Sequence, residues 1–149
     1  MKLIATNRKA RHNYTLSDKW ECGIALTGGE VKSVRAAQVS FKDTFARMED
    51  GELFVYNLHI SPYEQAGYIT PEPDRKRKLL LHKQEIKRII GLVSEKSVTL
   101  IPTRIYLNPR GWVKIEIALA QGKKLYDKRQ SIKEKTVQRE ISRALRSRQ

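Results

Sequence analysis

The sequence has little of what disulfide-bonded, metal-binding or membrane-spanning proteins need. Its one cysteine, Cys22, cannot form an internal disulfide, and its three histidines include no pair at ligand spacing. No stretch approaches the roughly 18 consecutive apolar residues of a membrane span. The opening MKLIATNRKARH has no apolar core for a signal peptide, because charge resumes by Arg8. We therefore expect a cytoplasmic protein without metal or cofactor, in which Cys22 is a small buried residue.

Catalytic motifs are also missing. The sequence contains no GxSxG, HExxH, CxxC or GxxxxGK[ST] pattern, and no nucleophile stands near a base along the chain. A site assembled in space would still be compatible with these residues, because catalytic triads are recognised by geometry rather than by order. The sequence nevertheless favours a binding protein over an enzyme.

Acidic residues are scarce relative to basic ones. The 149 residues include 30 Lys and Arg against 16 Asp and Glu, a net charge of +14. Residues 121–149 hold ten of the basic and three of the acidic residues, so half of the excess lies in the last fifth of the chain. Such a field attracts polyanions, which indicates nucleic acid or an anionic membrane as the partner.

Period-two alternation predicts strands through most of the first 120 residues. Residues 43–60 place Asp50-Gly51 between two alternating runs, and residues 98–120 place the turn 108–111 between two more. With WECGIAL at 20–26 this makes at least five strands. A body of this size built from short strands predicts a mainly β, small antiparallel barrel.

Two or three helices are predicted, and two of them interrupt these strands. The first begins at Thr27, where Thr and then Glu30 match a capping box. The second covers about 82–93, with apolar residues at helical spacing at Ile86, Ile89, Ile90 and Val93. The proline-containing segment 61–78 reads as a surface loop, and its basic end, 75–78, is compatible with a phosphate site or with an exposed loop end.

The last segment, from KKLYDKRQSIKEK onward, is too polar to hold a fold alone. A helix over 132–148 would carry an apolar stripe opposite a basic side, yet with little apolar surface it should be disordered when free and helical when bound. The stripe lacks the Trp or Phe that interfacial helices favour, so a membrane partner is disfavoured. Tyr126 could stack on a base or pack on the barrel beside Leu125. We expect a barrel domain at 1–122 and a tail at 123–149.

Ordered stretches along almost the whole chain resemble the SsrA-binding protein family, also called small protein B. They include "NRKARHNY" at 7–14, "GGEVKSVRA" at 28–36, "HISPYEQ" at 59–65, "RKLLLHKQEI" at 77–86 and "VKIEIALAQGKKLYDKR" at 113–129. The resemblance implies an oligonucleotide-binding-type barrel that binds transfer-messenger RNA, helps deliver it to stalled ribosomes and places its tail in the empty mRNA channel. Elongation factor Tu and alanyl-tRNA synthetase are implied as indirect partners through the RNA.

The resemblance also implies site residues in the barrel. Asn7, Glu21 and Leu80 match family positions needed for binding the tRNA-like part of that RNA. Basic residues in the matched segments, suited to phosphate contacts, are added to this set: Arg8, Lys9, Arg11, Lys32, Arg35 and Lys78. Glu21 cannot attract phosphate, so we expect it to bind a base edge or sugar hydroxyl or to position a basic neighbour; from spacing alone it is an ordinary strand charge.

For the tail, the resemblance implies contacts in the decoding centre and mRNA channel of the ribosome. The implied residues are Lys123, Lys124, Tyr126, Asp127, Lys128, Arg129, Lys133, Lys135, Arg139 and Arg143. Two positions depart from the family pattern: Gly29 stands for a larger residue in the first helix, which should weaken its start slightly, and Val137 stands where many relatives have Trp.

Overall fold

The computed structural model describes residues 1–62, 71–95 and 98–122. The elements follow one another as β1 (Lys2–Thr6), α1 (Arg8–Asn13), β2 (Tyr14–Ile24), α2 (Gly28–Arg35), β3 (Val39–Glu49), β4 (Glu52–Ile60), β5 (Arg77–Leu80), α3 (Lys83–Glu95), β6 (Thr99–Leu107) and β7 (Val113–Gly122). All predictions for the tail at 123–149, its disorder and its contacts included, lie outside the described residues.

Six of the strands close into an antiparallel barrel. The order β6-β3-β4-β5-β2-β7 returns to its start because β6 also pairs with β7, and β1 adds to the side of β6. Closure removes the exposed edges that open sheets present. The predicted mainly β barrel is confirmed, and the described residues contain three helices, within the predicted two or three.

The predicted inward face of β7 forms the centre of the core. Val113, Ile115, Ile117 and Leu119 are all buried, alongside apolar residues of β2, β4 and β6. Cys22 is fully buried among them, as predicted. Burial, with the nearby Glu85 and Glu21 carboxylates, raises the pKa of its thiol to about 12, so the group stays protonated at neutral pH.

Both predicted hairpin turns are present. Asp50 and Gly51 have φ of 51° and 78°, the left-handed pair that a tight turn between β3 and β4 needs. The second turn has Gly111 at φ 82°. At α2 the capping box is complete, with Thr27 and Glu30 bonded reciprocally at 2.9 and 3.2 Å.

Two expectations are corrected, and two elements are added. The basic end of the proline-containing segment is not simply a loop end or a phosphate site, because Arg77 opens β5 and is fully buried. On α3, Ile90 is 42% exposed and Leu92 takes part in the core instead, since the barrel contacts the helix on a rotated face. Strand β1 and helix α1, neither of which the periodicity predicted, complete the fold.

Arg77 is held by one carboxylate. Its Nε donates to Glu30 Oε2 at 2.7 Å, and its other nitrogens donate to the carbonyls of Leu58 and Pro73 at 2.6 and 2.9 Å. Arg75 binds the same carboxylate. A single acidic side chain on α2 thus connects that helix to β4, to β5 and to the segment before β5.

Replacing Glu30 with Gln should destabilise the fold by about 3 kcal/mol, because breaking a buried pair leaves the other charge without compensation. Urea unfolding measures this. Glu52→Gln is the control, since Glu52 pairs with Lys78 at 3.0 Å on the surface and should change stability by less than about 0.5 kcal/mol. Equal effects of the two substitutions would contradict the role assigned to Glu30.

Acid should weaken the same connection. Burial alone raises the pKa of Glu30, but hydrogen bonds from Arg75, the Thr27 backbone and Arg77 outweigh it, so the pKa lies below its ordinary 4.5. A carboxyl with a depressed folded pKa contributes stability that is complete above the unfolded value and lost as pH falls through the folded one. Below pH 4.5 the urea midpoint of the wild type should therefore fall more steeply than that of Glu30→Gln. Parallel curves would exclude this linkage.

Candidate RNA-binding surface

Strands β2, β7 and β6 bring polar residues that are far apart in sequence onto one outer face. Glu21 is paired with Glu116 across β2 and β7, and Glu116 is paired with Arg104 across β7 and β6. The residues that alternate with them, such as Cys22 and Ile115, point into the core. By the two-residue period of strands, Glu21, Glu116 and Arg104 share the face directed away from it.

Glu21 is exposed and oriented by Tyr106. The Tyr106 hydroxyl donates a hydrogen bond to Glu21 Oε2, and the guanidinium of Arg104 lies 5.1 Å from the centre of the Tyr106 ring. Burial of Tyr106, together with its bond to the carboxylate, raises the pKa of the phenol well above its ordinary value. Tyr106 therefore stays a donor at neutral pH, and Glu21 presents a fixed acceptor at the surface.

Glu116 neutralises the basic residues beside this acceptor. Its carboxylate accepts a hydrogen bond from Arg104 Nε and lies 3.6 Å from Lys19 Nζ. Glu116 itself is only 8% exposed, whereas the Lys19 side chain is about half exposed. Glu116 therefore orients Arg104 and Lys19 along the face and offsets one of their two positive charges.

Leu80 extends this surface onto β5. It is 50% exposed and is paired with Gly23, two residues from Glu21 along β2. A Cβ on Gly23 would lie 3.2 Å from that of Leu80, so the glycine leaves the leucine room against the sheet. Lys78 lies on the same strand and pairs with Glu52. The structure thus brings Glu21 and Leu80 together, as a shared site requires.

Asn7 is buried and bonded within the fold. It is 8% exposed; its Nδ2 donates to the carbonyl of Pro102 at 2.8 Å and its Oδ1 accepts from the amide of Ala10 at 3.3 Å. Both polar atoms are used inside the fold. Asn7 is the N-cap of α1 and attaches this helix to β6.

Five of the six predicted basic residues fall into two groups, and the sixth, Lys78, lies on β5. Arg8, Lys9 and Arg11 are exposed on α1, which precedes the start of β2, whereas Lys32 and Arg35 are exposed on α2, which follows its end. Eleven strand residues separate the groups by roughly 30 Å. Leu80, paired with Gly23, lies near the α2 end of β2.

Two recesses flank these groups. One of about 400 Å³ lies between α1 and β3, with Lys9, Tyr14 and Phe45 in its lining. The other, of about 390 Å³, lies between α2 and the β6–β7 turn, with Arg35 and Trp112 in its lining. No described helix is long and apolar enough to cross a membrane, and within the same residues no group of His, Cys, Asp or Glu could hold a metal ion.

Sequence reasoning missed Tyr106, Arg104, Glu116 and Lys19. Alternation in RIYL and KIEI does place Arg104, Tyr106 and Glu116 on the outward side of their strands. The alternation does not show the register of strand pairing, and that register brings Tyr106 to Glu21 across 85 residues of sequence.

A closed antiparallel barrel with exposed basic residues on α1 and α2 and with exposed apolar and aromatic side chains is typical of a nucleic-acid-binding barrel protein. The chain belongs to the SmpB protein family, whose model matches residues 4–147. It is 55% identical to the SsrA-binding protein of Desulforamulus reducens over 99% of this chain and 92% of the relative, and 52% identical to that of Moorella thermoacetica over 100% and 96%. The resemblance noted in the sequence is confirmed.

A solved structure agrees with this assignment. One chain in the structure described as "tmRNA-SmpB: a journey to the center of the bacterial ribosome" is 50% identical, with a TM-score of 0.70 over 86% of this chain and 93% of that one. The barrel observed here is therefore the fold of a solved family member.

Asn7→Ala should lower the free energy of unfolding by roughly 1–3 kcal/mol, because it removes the cap and leaves the Pro102 carbonyl without its donor. Thermal or urea unfolding would measure it. Arg8→Gln, at the next residue, is exposed and should leave stability nearly unchanged. A fully stable Asn7→Ala protein would refute the structural role of Asn7.

Proposed function

We propose that this protein binds the tRNA-like part of transfer-messenger RNA with its barrel and helps deliver that RNA to stalled ribosomes. The observation that carries the proposal is 50–55% identity, over most of the chain, to SsrA-binding proteins and to a chain solved as tmRNA-SmpB. The role is binding rather than catalysis. Elongation factor Tu and alanyl-tRNA synthetase would meet the protein indirectly, through the RNA, in the cytoplasm.

The Glu21 and Leu80 surface supplies the recognition. The Glu21 carboxylate, held by Tyr106, accepts hydrogen bonds from ribose 2′-hydroxyls or from amino groups of bases. Residues that bind only phosphate do not contact these groups. Leu80 offers an apolar contact beside Gly23, two residues from Glu21 along β2. Because looped, unpaired RNA exposes these groups while a duplex conceals most base edges, such a surface favours a structured elbow over a plain helix.

The basic residues of α1 and α2 add affinity without sequence preference. Arg8, Lys9 and Arg11 at one end and Lys32 and Arg35 at the other neutralise phosphates over a length of roughly 30 Å. Such contacts position the RNA on the barrel. Asn7 contributes indirectly, by fixing α1 against β6.

The barrel and the tail divide the work. Strand β7 ends at Gly122, which is paired with Tyr14 beside α1, so the chain enters residues 123–149 at the end of the barrel opposite Leu80. This arrangement leaves the Glu21 surface clear of the point where the tail begins. We assign residues 1–122 to RNA recognition and 123–149 to the decoding centre and mRNA channel.

A chain ending at Gly122 should keep its preference for the tRNA-like RNA over a duplex but lose rescue of stalled ribosomes. RNA affinities measured across a salt series and a ribosome-rescue assay report the two properties separately. The slope of log affinity against log salt should become less steep in the truncated chain, because the cations of the tail are lost. If the truncated chain still rescued stalled ribosomes, the assignment of 123–149 to the ribosome would be wrong. If it lost its preference for the tRNA-like RNA, the assignment of RNA recognition to 1–122 would be wrong.

Glu21→Gln and Tyr106→Phe should each weaken binding of the tRNA-like RNA by about tenfold, the magnitude of one good hydrogen bond to a charged group. Because Tyr106 acts through Glu21, the double variant should lose little more than either single one. Glu72→Gln, an exposed loss of one negative charge before β5, is the charge control. Fully additive losses would show that Tyr106 acts independently of Glu21.

A further inference from the structure

Trp112 is an exposed aromatic residue that the surface described so far does not use. It is 67% exposed, whereas the other tryptophan, Trp20, is 9% exposed and packs in the core. Among large apolar residues of the described chain, only Met1 is equally exposed. A tryptophan left in water forgoes the burial that usually stabilises the residue, which marks the position as a candidate contact.

The turn before β7 holds Trp112 in place. Asn108 Oδ1 accepts hydrogen bonds from the amides of Arg110 and Trp112 at 3.0 and 2.9 Å, and the Asn108 amide donates to the Trp112 carbonyl at 2.9 Å. Both backbone polar groups of Trp112 are thus bonded to one residue. The indole is presented from a preorganised backbone, so binding would require little further ordering.

A groove beside Trp112 is lined by apolar residues and by two arginines. Its volume is about 390 Å³, and of the described residues that line it two are arginines, Arg35 and Arg110, and none is acidic. Arg35 Nη2 donates to the Gly111 carbonyl at 3.3 Å, which fixes this guanidinium beside the turn. A guanidinium has five donors, so the others remain to meet a phosphate.

The groove continues the Glu21 surface. Trp112 stands two residues before Lys114 in β7, and Lys114 is paired with Gly23, the residue that also pairs with Leu80. From Trp112 across β2 to Leu80 the barrel therefore presents an aromatic ring, basic groups, a carboxylate acceptor and an apolar side chain. These are the four kinds of contact that unpaired RNA uses.

We propose that Trp112 stacks on an unpaired base of the bound RNA while Arg35 and Arg110 contact its flanking phosphates. An RNA ligand matches both features of the groove, because every base has a stacking face and every nucleotide brings a negative charge. The inference rests on the proposed function and adds to it a base-binding subsite next to the Glu21 surface.

Trp112→Ala should weaken binding of the isolated tRNA-like domain of transfer-messenger RNA by about tenfold, within the range of base stacking on an aromatic residue. Trp112→Phe keeps a ring and should stay within about threefold of the wild type. Arg110→Gln should lower the slope of log affinity against log salt by about one. The exposed Leu3→Ala is the matched control and should bind normally.

Tryptophan fluorescence gives an independent readout. Because Trp20 is buried, quenching on addition of RNA should come from Trp112 and be absent in Trp112→Phe; a fully paired duplex of equal length should quench weakly. If the wild type prefers the tRNA-like domain and Trp112→Ala binds it equally well, the inference alone fails. If the wild type has no such preference over the duplex, the proposed function fails, and this inference with it.

Discussion

The carboxylate of Glu30 is the interaction on which the arrangement of this barrel most depends. It closes the cap of α2 through Thr27 and binds the buried guanidinium of Arg77, which in turn bonds to carbonyls on β4 and before β5. A fully buried arginine is stable only with such a partner and with carbonyls for its remaining donors. Helix α2 and the short strand β5 are thereby held in fixed positions, and these elements carry Arg35 and Leu80.

Closure of the sheet brings polar residues from distant segments together on the outer face of the barrel. Antiparallel pairing places Glu21, Glu116 and Arg104 in one row, although they come from three separate segments. The interior of the barrel is filled mainly by branched aliphatic residues, and the polar row lies on the outside of this packed core. Buried Tyr106 and Glu116 orient their exposed neighbours Glu21 and Arg104, so these side chains are held in place before any ligand binds.

Much of the fold could be predicted from short-range patterns. The inward face of β7, the Asp50-Gly51 turn and the Thr27 capping box were predicted, because alternation, positive φ and capping depend on neighbouring residues. Strand β5 was not predicted: it is four residues long, and its Arg77 looks like a surface cation until Glu30 is placed opposite it. Helix α1 is only six residues and is held by a bond from Asn7 to Pro102, 95 residues away.

The sequence by itself determined the excess of positive charge, the strand-rich body, the two hairpins and, through its ordered motifs, the family. These properties follow from composition and local spacing, which need no knowledge of register. Only the tertiary structure decided that Asn7 is a helix cap, that Tyr106 holds Glu21, and that the basic residues divide into two groups at opposite ends of β2. The physical reason is that barrel closure and strand register bring together side chains up to 95 residues apart, and no local pattern records which strand lies beside which.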